Sequence, residues 1–291
     1  MVNIKVLRID QFKSANTFSD FYANMIANHL ATSHLHIEKP HRHNFYATML
    51  FTKGSGKHSI DFKTYDVSPG SVFLMAPGQI HYWELSDDAD GLIFFHSQEF
   101  YELRYADERL SDYAFFSPVQ NIQKIALTSG QSSEIETIIA EMMQSELGGT
   151  AMRNRYLISL ITQVYIKLSL FLGVGQNNEE TASSSYAAKF RSFEKLLETN
   201  FREEKSAEKY AEMLHMSAKH LNRINKSMVD KSTSEIIIER VLLEARRMLI
   251  YSNEPLNEIA LKLGFEDYAY FSKLFKKKTG ITPSQFKAQH S

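Results

Sequence analysis

Residues 206–228 read SAEKYAEMLHMSAKHLNRINKSM, and residues 255–275 read PLNEIALKLGFEDYAYFSKLF. In the first stretch Ser206 can cap a helix over 207–214 that carries Tyr210, Ala211 and Leu214 on one face. His215, Met216 and Ser217 follow. Ser217 can cap a second helix to about Met228, with Leu221, Ile224 and Met228 on its apolar side. Two short helices joined by a three-residue turn, the second one capped, have the lengths of a helix-turn-helix. In the second stretch Pro255 suits the first turn of a helix ending at Leu263. Gly264 can supply the left-handed residue that stops it. Asp267 can cap the next helix, which carries Phe271, Leu274 and Phe275. Ala211 and Leu214 match Ala260 and Leu263 at a spacing of 49; Leu221, Arg223 and Ile224 match Phe271, Lys273 and Leu274 at a spacing of 50. The one-residue slip falls in the turn, where insertions are tolerated.

Between the two units, residues 233–253 read as one long helix with Ile236, Ile237, Val241, Leu242, Ala245 and Leu249 inward. Such a rod can hold two second helices so that they enter successive major grooves on one face of DNA, about 34 Å apart.

The segment IALKLGFEDYAYFSKLFKKKTGITPSQFK (259–287) resembles the signature of the AraC/XylS family of transcription regulators. It has that family's Ile-Ala, Gly-Phe, Phe-Ser-Lys-x-Phe-Lys and Gly-x-Thr-Pro spacing. MSAKHLNRINK (216–226) is similar to the family's other half. The resemblance covers about residues 190–290. It implies that exposed residues early in the second helices read bases: Lys219, Asn222 and Arg223 in one unit, and Tyr268, Ala269 and Lys273 in the other. The capped helix starts at Ser217 and Asp267 can offer backbone N–H groups to phosphates. Tyr268 and Ala269 depart from the polar residues often found at those positions. Arg and Lys can donate to guanine, and Asn can pair with adenine through two hydrogen bonds. Lys226, Lys276 and Lys277, with Lys278 beside them, suit sequence-independent attraction to phosphates.

The rest of the chain fits a regulator. It has 291 residues, enough for two domains. It has no cysteine, which excludes disulfides, thiolate metal sites and cysteine catalysis. No secretory leader and no run long enough for a membrane span is visible, so the expected compartment is the cytoplasm. Formal charge is −6 over residues 1–185 and +5 over residues 186–291, which places the polyanion partner with the back half.

Residues up to about 115 carry short β-type runs at 46–51, 58–62, 71–76 and 92–95, punctuated by Gly and Pro. Helical stripes follow at 132–146 and 151–172. Residues 173–185 (GVGQNNEETASSS) read as a flexible linker. The expected fold class is α+β in two domains. Residues 1–172 form a cupin-like β-barrel with trailing helices, and residues 186–291 an all-α domain with two helix-turn-helix units. Family resemblance extends to the barrel: His41-Arg-His43, Gly54 and Pro77-Gly78-x-x-His81 are similar to the two cupin motifs. Ala47 stands where a cupin's ligand Glu would, so the expectation is no metal, no other cofactor and no enzyme activity. A cupin oxygenase or isomerase using His41, His43 and His81 is the competing reading, and a regulator without an effector is a third. The barrel is expected instead to bind a small-molecule effector of unspecified chemistry, with His43, Phe45, Tyr46, His81 and Trp83 as candidate lining. The remaining expected partners are promoter sites on double-stranded DNA, RNA polymerase and a second copy of the chain. Effector-controlled activation of transcription is the expected function.

Overall fold

The computed structural model describes residues 5–12, 20–37, 39–102, 110, 113–117, 119–120, 122–144, 150–173 and 182–290. The chain divides into two compact units, one built on residues 4–117 and 121–176, the other on 177–291.

The first unit is a two-sheet sandwich. Its strands are β1 (Val6–Leu7), β2 (Phe21–Met25), β3 (His41–His43), β4 (Tyr46–Lys53), β5 (Gly56–Ile60), β6 (Lys63–Val67), β7 (Ser71–Met75), β8 (Ile80–Leu85), β9 (Asp90–His96) and β10 (Lys124–Ala126). One sheet has the order β1-β3-β8-β5-β6 and the other β10-β7-β4-β9-β2. The expected barrel is therefore not closed: the strands form two separate five-stranded sheets, with residues from both meeting in one core.

The second sheet is buried on both faces, which is why β7 reads SVFLM with no polar alternation. Side chains still alternate along each strand. Ala47, Met49, Phe51, Phe73, Met75, Ile93 and Phe95 enter the core between the sheets. Leu50, Val72, Leu74, Leu92 and Phe94 face the other way, into a second core with helices α3 (Ser129–Gln144) and α4 (Thr150–Phe171). Both predicted helical stripes pack there: Ile135, Ile138, Ile139 and Met142 from α3, and Leu157, Leu160, Ile161, Val164 and Leu168 from α4. Two helices lie among the strands where only β structure was expected, α1 (Ile26–Ile37) and the short α2 (Gln98–Glu102).

The second unit is entirely helical among its described residues: α5 (Ala182–Asn200), α6 (Ala207–Met213), α7 (Ala218–Val229), α8 (Thr233–Tyr251), α9 (Leu256–Lys262), α10 (Tyr268–Thr279) and α11 (Pro283–His290). Helix α5 begins three residues before the expected end of the linker; residues 174–181, the middle of that expectation, lie outside the described residues. Helix α8 buries the six side chains assigned inward from sequence. Ser232 and Glu235 close a reciprocal capping box at its start. Pro255 sits one position earlier than expected, as the cap residue of α9 rather than inside its first turn.

Candidate nucleic-acid interface and sensor cavity

Helices α6 and α7 pack at Tyr210, Ala211, Leu221 and Ile224, all buried. Ser206 and Ser217 cap the two helices, their hydroxyls accepting from the amides of Lys209 and His220. The turn between them closes when Met216 N donates to Ala211 O at 3.0 Å. In the second unit Phe265 N donates to Ala260 O, also at 3.0 Å. Both bonds join residues that correspond at a spacing of 49. The extra residue of the second unit, Glu266, stands between that bond and the capping residue Asp267, whose carboxylate accepts from the amides of Ala269 and Tyr270.

This geometry gives α7 and α10 matching exposed stripes. Lys219, Arg223 and Lys226 lie on one face of α7, and Ala269, Lys273 and Lys276 on the corresponding face of α10, with Lys277 alongside. The spacing of four and then three residues keeps each trio on one side of its helix. Tyr268 is half-buried against Phe271, and the exposed ring is that of Tyr270, two residues on, which sequence reasoning did not single out. Lys226 turns toward the end of its own helix, donating to the carbonyl of Asp230 at 3.3 Å.

Asn222 is engaged within the domain. Its side-chain oxygen accepts from the backbone N–H of Thr233 at 3.1 Å. That amide opens α8 and has no acceptor within its own helix. The carboxamide therefore ties α7 to α8, and the bidentate adenine pair expected from sequence would have to break this bond. Beside it, buried Asn225 donates to the Thr233 hydroxyl at 2.9 Å.

In the sandwich unit, strands β3 and β8 pair with His41 opposite His81, and β5 lies on the other side of β8 with His58 opposite Trp83. These side chains, with His29 from α1, form a buried cluster of imidazoles. A small cavity is lined by His29, His41, His43, Phe45, His81 and Trp83, with further apolar contacts from Leu7, Phe12, Met49 and Phe95. Four of the five candidate effector residues share it. Tyr46 does not: it follows Phe45 by one position, so its side chain takes the opposite face of the sheet and stacks on His96. His58 and His29 were missed, because each sits in a separate element with no motif around it.

The hydrogen bonding of the cluster is incomplete. His43 Nδ1 donates to Phe45 O at 2.6 Å, leaving Nε2 a bare acceptor with no partner. His58 Nε2 and His81 Nδ1 share one hydrogen bond at 3.0 Å, leaving His58 Nδ1 and His81 Nε2 unpartnered. A neutral imidazole carries one N–H and one lone pair, so one of these two is a donor and the other an acceptor. Burial holds His29, His43 and His58 neutral, with pKa lowered to about 3, and lowers His81 as well. The free space is about 10 Å³, room for one guest the size of water. A cupin-type metal does not fit this lining. Ala47 offers no ligand atom, and among the described residues no three His, Asp or Glu side chains are arranged to hold an ion.

Comparison with known proteins agrees with this two-part reading. Residues 26–159 match the AraC-like ligand binding domain, and residues 210–289 match a helix-turn-helix domain model that spans both units. The chain belongs to the AraC family of transcriptional regulators. It is a DNA-binding regulator with an N-terminal ligand-binding fold. Relatives of this AraC-family chain include the HTH-type transcriptional activator RhaS of Citrobacter koseri, 22% identical over 246 residues, covering 84% of this chain and 85% of that one. RhaS of Salmonella schwarzengrund is 22% identical over 249 residues with the same coverage. Among solved structures, ToxT from Vibrio cholerae aligns over 94% of this chain and 99% of its own, at 12% identity and a TM-score of 0.43. An AraC-type regulator from Chromobacterium violaceum aligns over 37% and 96%, at 26% identity and a TM-score of 0.34.

Proposed function

We propose that this AraC-family regulator activates transcription by placing α7 and α10 in successive major grooves of promoter DNA, under control of a small molecule bound by the N-terminal sandwich. The observation that carries the reading is the pair of matched exposed stripes, Lys219-Arg223-Lys226 and Ala269-Lys273-Lys276, on two helices whose preceding turns close by corresponding hydrogen bonds. Arg223 and Lys273 are the proposed base readers. Ser217, Lys219, Lys276 and Lys277 are proposed to meet the backbone, where lysines act as point charges and a capped helix start offers N–H groups. The sensor is taken as residues 1–172 and the DNA-binding part as 186–291, joined by the segment between.

The RhaS relatives are named as activators, which supports the direction of control. The effector site is proposed at His43, Phe45, His81 and Trp83. Any guest larger than water must part this lining, so ligand binding and rearrangement of the sandwich are coupled. A homodimer in the cytoplasm, acting on RNA polymerase at the promoter, completes the proposal. No described helix is long and apolar enough to cross a membrane.

The test is selection of bound fragments from sheared genomic DNA by the purified protein, followed by sequencing, with Arg223→Ala and Lys273→Ala in parallel. Sites carrying two short elements about one helical turn apart, each relaxed by a different variant, are expected. Recovery of bulk DNA alone, with and without added cell extract, would sink the reading.

A further inference from the structure

Three cationic or donor side chains meet at the start of α7. Lys189, on α5, brings Nζ to 3.3 Å from His220 Nε2. Arg223 brings Nη2 to 2.8 Å from His220 Nδ1. Tyr186, one turn before Lys189, stands edge-on to the His220 ring at 5.8 Å and under the Arg223 guanidinium at 6.0 Å.

This arrangement is unsatisfied as it stands. Lysine and arginine only donate, and a neutral imidazole has a single lone pair, so His220 can accept from one of them while its N–H points at the other. Among the described residues no carboxylate pairs with Lys189, His220 or Arg223. Elsewhere in the same unit basic side chains are neutralised: Arg202 by Glu244 at 3.1 Å, Arg240 by Glu198 at 2.5 Å, Lys209 by Glu212 at 2.9 Å and Lys231 by Glu239 at 2.6 Å. Desolvation first, and then the charges of Lys189 and Arg223, lower the pKa of His220. What the cluster lacks is an anion carrying several acceptor oxygens.

We propose that Lys189 and His220 form a clamp for one phosphodiester of duplex DNA, with Arg223 steadied beside it as a base reader. This rests on the DNA-binding reading and extends it: α5, which lies outside both helix-turn-helix units, becomes part of the interface. A phosphate oxygen between Lys189 and His220 accepts from both and removes the donor–donor clash. Arg223 is then held by His220 and Tyr186 at the rim of the groove. The other unit has no such clamp, since Tyr270 stands where His220 does in the repeat.

A phosphate clamp acts on any sequence, so the probe is a mixed-sequence 40-base-pair duplex. Binding by the full chain is followed by fluorescence anisotropy across a salt titration. Lys189→Ala is expected to reduce the slope of log K against log salt by about 0.9, the contribution of one phosphate. Between 50 and 200 mM salt the wild-type protein then loses about 3.5-fold more affinity than the variant. Lys189→Arg should restore the slope. The control is Lys195→Ala, an exposed lysine of the same helix, with folding of each variant verified by its thermal midpoint. An unchanged slope for Lys189→Ala, or an equal change for Lys195→Ala, overturns the clamp while leaving the DNA-binding reading intact. Absence of wild-type binding even at low salt overturns both.

Discussion

His215 and Gly264, 49 residues apart, occupy the same left-handed position in the turns of the two helix-turn-helix units, at φ 53° and 73°. Position 215 carries a side chain; position 264 cannot. A Cβ on Gly264 would lie 1.9 Å from the carbonyl oxygen of Arg202. Gly264→Ala should therefore cost more than about 1 kcal/mol. At position 215 the strain belongs to histidine itself, so His215→Gly should gain up to about 1 kcal/mol. Denaturant unfolding followed by helical circular dichroism reads both. A silent Gly264→Ala would show that the Arg202 carbonyl can withdraw freely.

Asn222 and Arg223 are adjacent, but the Asn222 carboxamide oxygen is held by Thr233 N while Arg223 is exposed. Asn222→Ala removes the acceptor that caps Thr233 N and should lower stability by about 1 kcal/mol. The DNA sequences selected by the variant should match those of the wild type. A changed preference at one base position, with stability untouched, would return Asn222 to the role expected from sequence.

The buried imidazoles make the sandwich sensitive to acid. In the folded unit His29, His43 and His58 have pKa lowered to about 3, and His96 to about 4. The unfolded chain protonates near 6.5. Above that pH neither state gains a proton from these groups. As pH falls from about 6.5 toward 3, the unfolded state binds more protons, and stability declines by up to about 1.4 kcal/mol per pH unit for each group. The thermal midpoint of the sandwich should thus drop steadily from pH 7 to pH 5, and His58→Gln should flatten the decline. A midpoint independent of pH in this window would contradict the burial of the cluster.

Trp83 is the protein's single tryptophan and lines the cavity proposed as the effector site. Its emission therefore reports on that site alone. A small molecule that raises the thermal midpoint should also shift Trp83 fluorescence, and His81→Ala should weaken both effects. A ligand that stabilises the protein without altering emission binds somewhere else.

Helix α4 turns one apolar stripe into the core and leaves a second outside. Met152, Tyr156, Ile166 and Leu170 are exposed, and the steps between them (four, ten and four residues) keep them on one seam of period 3.5. If this seam carries the homodimer, Ile166→Glu should yield a monomer by sedimentation with the thermal midpoint of the isolated fold little changed. An unaltered sedimentation coefficient would place the dimer contact elsewhere, or show that the chain is a monomer.

What could be read from the sequence is what depends on near neighbours. Ser206, Ser217 and Asp267 cap helices because each accepts from an amide two or three residues on, a relation visible in the letters. The spacings of 49 and 50 located both turns, and even the residue inserted in one of them, since helix periodicity is local. Convergence across elements is not local. Phe45 and Tyr46 are adjacent in the chain, yet β-sheet alternation sends one to the cavity and the other to His96. His29 and His58 joined the imidazole cluster only when α1 and β5 were laid beside β3 and β8. The open sandwich, the capture of Asn222 by α8 and the meeting of Lys189 with His220 likewise depend on packing between segments far apart in sequence. No spacing encodes such contacts, because they are selected by which faces of whole helices and sheets can be buried together.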